Sequence, residues 1–103
     1  MNTLPLYVVD AFTDRPFRGN PAAVCPLREW LPADLMQDIA AENNLSETAF
    51  FVPAGSEYEM RWFTPRREIS FCGHATLASG HVLFRHIDPS LTRVAFRTQV
   101  GVL

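Results

Sequence analysis

Residues 68–84, EISFCGHATLASGHVLF, hold the reading on which the fold turns. A short strand-like run at 69–71 meets a polar knot, Cys72-Gly73-His74, and small helix-compatible residues then continue to about His86. In the predicted helix over 74–86, Ala75, Leu77, Ala78, Val82, Leu83 and Phe84 leave almost no polar face in the first two turns. Such a helix must be buried nearly all round, and a sheet wrapped about it meets that need. Its small residues, Ala75, Ala78, Ser79 and Gly80, would let surrounding backbone come close, at some loss of helix propensity at Gly80.

Working outward, the strands of that sheet are legible on the N-terminal side. In EYEMRWF (57–63), Tyr58, Met60 and Trp62 alternate with Glu57, Glu59 and Arg61, the two-residue period of a strand. SETAFFVP (46–53) is rich in Thr, Phe and Val, and the intervening AGS is a turn, so the two runs are expected to form a hairpin with one fairly wet face. Over 32–43, Leu35, Met36, Ile39 and Ala40 form one apolar stripe with Asp34, Gln37, Asp38 and Glu42 opposite. That pattern predicts a surface helix with Pro32 as its first residue and Asn43-Asn44 at its end. LPLYVVDAF (4–12) has bulky β-formers on both alternating faces, which suggests a strand buried on both sides, TDRPFRGNP (13–21) reads as a loop, and a second strand is expected at 22–27. VAFRTQVGVL (94–103) reads as a strand, a turn at Gly101 and the first residues of another strand, which suggests a fragment. The whole reads as one globular unit over residues 1–103.

Composition narrows the function. With 48% hydrophobic and 19% charged residues the chain has the makeup of a soluble globular unit. Nine basic against eleven acidic residues give a net charge of -2, too little field to hold nucleic acid or an anionic membrane. All nine bases are Arg, so these residues offer no lysine for a Schiff base. Two cysteines without C-x-x-C spacing fit neither a zinc ribbon nor a disulfide framework, and a cytoplasmic location is expected. His81 and His86 lack the i, i+4 spacing of a common metal pair, so no metal site is expected.

Four places could carry chemistry. A helix beginning at Gly73 or His74 presents unpartnered N–H groups and a positive dipole end, which favours an anionic oxygen or carboxylate. The plainer reading is a structural turn in which His74 bonds a carbonyl. Glu47, ahead of a run that looks buried and between Ser46 and Thr48, suits a base that must also return its proton. It could equally be a solvated edge-strand acid, or close a capping box with Asn44. Cys72 could be a thiolate base at the helix start, though a cysteine beside Phe71 more often packs in a core. The RGNPAAV segment could hold a ligand through Asn20, or simply turn.

Taken in order, VVDAFTDRPFRGNPAAV, LSETAFFVP and MRWFTPRREISFCGHATLASGHVLF make the chain similar to the N-terminal half of the PhzF family, the phenazine-biosynthesis-like proteins. CGHAT by itself would also resemble proline racemases. The PhzF resemblance implies a diaminopimelate epimerase-like fold: two similar α+β halves, each an antiparallel curved, barrel-like sheet around a central buried helix, with the site in the cleft between them. It implies a cofactor-independent isomerase that moves a proton between carbons of a dihydro-hydroxyanthranilate or another small unsaturated or cyclic carboxylic acid. The glutamate of the SET motif, here Glu47, is implied as acid/base, with His74, Gly73 and Asn20 in the substrate pocket. The implied second half, with an aspartate and a TGSA-like segment, is not within these residues, so a companion half or a homo-oligomer is expected to be needed, and an exposed apolar face to promote self-association. The competing readings are a cysteine-based racemase or epimerase using Cys72 and a non-catalytic remnant that binds a ligand or partner.

Overall fold

The computed structural model describes residues 5–11, 20–70, 72–88, 90, 95–98 and 101–102. Among them the elements follow in the order β1 (Tyr7–Ala11), β2 (Asn20–Pro26), α1 (Ala33–Asn43), β3 (Glu47–Ala54), β4 (Glu57–Phe63), β5 (Glu68–Ile69), α2 (Gly73–Val82), β6 (Phe96–Thr98) and β7 (Gly101–Val102). A π-helical turn, Leu83–Ile87, extends α2.

The strands form one sheet in the spatial order β1-β2-β3-β4-β6-β7, with β5 also pairing with β4. Its pairings are mixed rather than wholly antiparallel: β2 with β3 and β4 with β6 are parallel. The connections explain this, because a strand that returns through a helix re-enters the sheet in the same direction. Here α1 links β2 to β3, and the route from β4 to β6 passes through β5 and α2. The tight hairpin of β3 and β4 turns at Gly55, whose φ of 66° a side chain would resist.

Alternation along the strands sorts the core into two layers. Ala22, Val24, Ala49, Phe51, Met60 and Trp62 join Ala75, Ala78, Val82 and Leu83 on the α2 side, while Cys25, Phe50, Val52 and Phe63 join Met36 and Ala40 on the α1 side. The central helix keeps its polar groups quiet by bonding back along itself: Ser79 Oγ donates to Ala75 O at 2.8 Å, and Thr76 Oγ1 to Cys72 O at 2.8 Å. Among the described residues of α2 and its π-helical extension, His81, Arg85, His86 and Ile87 are exposed. At Gly80 the expected close approach of backbone is not found among the described residues, where an added Cβ would meet only Phe84 Cε2, at 3.9 Å.

Four local expectations are corrected. The first strand is not buried on both sides: β1 lies at the edge of the sheet, and Val8 is 61% exposed. Pro32 caps α1 from outside, its carbonyl accepting from Leu35 and Met36 at 3.0 and 3.1 Å. Asn20 and Pro21 belong to β2 rather than to the preceding loop, of which residues 13–19 lie outside those described. The outer face of the hairpin is drier than its charges suggest, because α1 covers it and Arg61 is sandwiched there. The guanidinium sits 5.6 Å from the Trp30 ring and 5.5 Å from Phe63, and donates twice to Glu68 at 2.7 Å, which raises its pKa. No helix among the described residues is long and apolar enough to cross a membrane.

Burial under α1 pushes the Cys25 thiol from 9.0 up to about 11, since a thiolate there would lose its hydration. The folded state therefore favours the protonated thiol. That contribution is complete below the unfolded-chain value and is lost as pH rises from about 9 through about 11. Thermal denaturation across this window should show a larger loss of Tm for the parent than for Cys25→Ala, and equal losses would contradict the burial argument.

Candidate active site

Glu47 opens β3, and the strand's alternation decides where it points. Thr48, Phe50 and Val52 face α1, with Asn43 Nδ2 of that helix donating to Thr48 Oγ1 at 3.2 Å. Ala49 and Phe51 pack with α2, and Glu47 shares their parity. The side chain is half-buried, and its Oε2 atom is shut off from solvent. A solvated edge acid does not have that environment. The capping-box alternative fails as well, because Asn44 ends α1 in the left-handed conformation, φ 51°, and a strand follows.

Strand register brings Asn20 to the same end of the sheet. Ala22 of β2 pairs with Glu47, and Asn20, opposite Ala11, opens β2 two positions earlier. At the neighbouring edge Phe63 pairs with Thr48 and with Glu68, and Trp62 with Ala49 and Ile69. The four steps along the chain from Ile69 to Gly73 can span at most about 14 Å. Thr76 Oγ1 in the first turn of α2 lies 3.9 Å from Met60 Sδ, so α2 starts on the face to which Glu47 belongs. Thr76 N donates to Cys72 O at 3.2 Å, which leaves the N–H groups of Gly73, His74 and Ala75 outside the intrahelical ladder. The side chains of His74 and Asn20 lie outside what the structure describes.

Cys72 is the extended N-cap residue of α2 and is buried in the inner core. Its environment is that of a small core residue. The π-helical turn brings the His81 and His86 rings to 6.2 Å although they are five apart in sequence, and His86 also stacks on Tyr7 at 4.8 Å. Among the described residues no group of three His, Cys, Asp or Glu could hold a metal ion. A groove of about 370 Å³ lined by Trp30, Glu59, Met60, Arg61, Arg97 and Thr98 contains none of the candidates. Its charges are engaged, Arg97 with Glu57 at 2.8 Å and the Trp30 indole with Glu59 at 3.1 Å.

One polar group passed unnoticed in the sequence. Trp62 reads there as an apolar strand residue, but its Nε1 is, like Glu47 Oε2, sealed from solvent. Only register shows that it lies on the α2 face, diagonal to Glu47.

The sequence profile of the phenazine biosynthesis-like proteins, PhzC-PhzF, matches residues 9–103. The chain is 53% identical over 100 residues to an uncharacterized isomerase of Pseudomonas aeruginosa, covering 97% of this chain and 39% of that protein. It is 49% identical over 108 residues to the human phenazine biosynthesis-like domain-containing protein, covering 97% and 38%. The crystal structure of a PhzF-family phenazine biosynthesis protein from Enterococcus faecalis superposes with a TM-score of 0.92 at 55% identity, again over 97% of this chain and 38% of the other. The chain thus spans about two fifths of the length of the relatives it matches. Its sheet wrapped on α2 is the N-terminal half of the PhzF, diaminopimelate epimerase-like architecture. On sequence and fold alike, this chain belongs to the PhzC-PhzF family of phenazine biosynthesis-like proteins.

Proposed function

We propose that these residues supply the acid/base and one wall of a cofactor-independent isomerase, which moves a proton between carbons of a small unsaturated or cyclic carboxylic acid such as a dihydro-hydroxyanthranilate. The observation that carries this reading is the position of Glu47: on the inner face, the face that α2 covers, with one carboxylate oxygen closed to solvent. The Glu47 carboxylate takes a proton from one carbon, the bonding pair stays in the substrate's conjugated system, and the resulting acid delivers the proton to another carbon. N–H groups at the start of α2, including that of Gly73, stabilise negative charge spreading into the substrate. His74 and Asn20 bind the substrate's polar groups.

The chain spans about two fifths of its relatives, so the opposite wall of the cleft comes from further polypeptide or from a second copy. Burial of Cys72 in the core supports Glu47 over a thiol base. The test is to incubate the complete polypeptide that carries this chain with dihydro-hydroxyanthranilate and chelator, and to follow the carbon-bound hydrogens by NMR. The expected result is loss of a hydrogen at one carbon and gain at another, without added metal or cofactor. Unchanged substrate, or conversion that stops with chelator, would refute the reading.

A further inference from the structure

From the register of β3 and β4 we infer that Trp62 is a positioning residue of the site, the wall that keeps water from the Glu47 carboxyl while it holds the substrate's proton. The inference rests on the isomerase reading above. Trp62 pairs directly with Ala49, and Glu47 lies two residues before Ala49 on the same face. Diagonal neighbours of this kind are within reach of long and aromatic side chains. Beside the indole is Ala49, and on the far side of Glu47, in β2, is Ala22; both are fully buried and end at a methyl group. Trp62 is 1% exposed, and its Nε1 and Glu47 Oε2 are both closed to solvent. A buried indole beside the Ala49 methyl and diagonal to Glu47 forms an apolar side to the space in which the carboxyl works.

The consequence is chemical. A proton parked on a carboxylic acid returns to the substrate only if it does not first exchange with water, and an apolar wall slows that exchange. The native protein should therefore transfer hydrogen mainly from carbon to carbon of one substrate molecule. Trp62→Phe keeps an aromatic ring but removes the N–H and part of the wall, which admits water beside Glu47.

The experiment uses dihydro-hydroxyanthranilate deuterated at the carbon that loses hydrogen, turned over in ordinary water by the complete polypeptide. Label kept in the product is compared with label lost to solvent. The parent should keep most of the label, whereas Trp62→Phe should raise the ratio of loss to turnover severalfold. Phe51→Leu, on the same face four residues along from Glu47, serves as the packing control and should leave the ratio at the parent value while lowering stability. A parent-like ratio in Trp62→Phe, or an equal rise in Phe51→Leu, would overturn the role of Trp62 and leave Glu47 as the base. Undiminished turnover by Glu47→Gln, run alongside, would overturn the isomerase assignment and this inference with it.

Discussion

Glu47→Gln should lower kcat about 10²- to 10⁴-fold, the usual worth of a positioned general acid/base, with little change in KM. The amide matches the carboxylate in shape and keeps one oxygen acceptor, so the strand and its pairing with Ala22 should survive. It cannot accept the substrate's proton. Glu47→Asp retains the acid but withdraws it by one methylene, and a displacement on the order of 1 Å costs up to ~100-fold. Steady-state kinetics on both variants, with circular dichroism to confirm folding, measures the contrast. Cys72→Ala belongs in the same series, because removal of a buried core thiol should lower stability slightly and leave kcat near the parent value. If Glu47→Gln turned over normally and Cys72→Ala did not, the base would have to be reassigned.

Phe51→Ala should destabilise the fold by about 3–5 kcal/mol. Phe51 is 1% exposed at the centre of the inner face, edge-on to Tyr58 at 5.5 Å and tilted against Phe96 at 6.0 Å. Tyr58 and Phe96 are themselves paired between β4 and β6, so this ring ties the hairpin to the strand that returns after α2. Its loss leaves a cavity bounded by three elements that cannot all close over it. Native domains are stable by only about 5–15 kcal/mol, so the variant should be largely unfolded at moderate urea. Leu35→Ala is the comparison that gives the number meaning. Leu35 belongs to the apolar stripe of α1, yet it is 44% exposed, and its truncation should change stability by at most about 0.5 kcal/mol. Similar urea midpoints for the two variants would contradict this assignment of the core.

That pair of residues also marks how far patterning reaches. The stripe Leu35, Met36, Ile39 and Ala40 gave the helix and its inward side, but a helix lying on a sheet buries a narrower strip than its apolar residues define. Met36 and Ala40 are buried, Ile39 is half-buried and Leu35 is exposed. Likewise, alternation in EYEMRWF placed Arg61 on a polar face without revealing that Trp30, 31 residues earlier, and Phe63 would enclose it. Long-range neighbours have no signature in a local period.

What the sequence by itself determined is the set of elements, the burial of α2 and the short list of candidate groups, because these follow from local propensity, two- and 3.6-residue periods and three motifs in order. What only the tertiary structure decided is which of those groups meet. The parallel pairing of β2 with β3 sets Glu47 beside Ala22, two positions from Asn20, and the Ala49–Trp62 register sets the indole diagonal to the carboxyl. A shift of one residue in either pairing would turn Glu47 or Trp62 to the α1 face with no change in any local pattern. Register is fixed by the packing of both faces at once, and that sum over distant contacts exists only in the folded sheet.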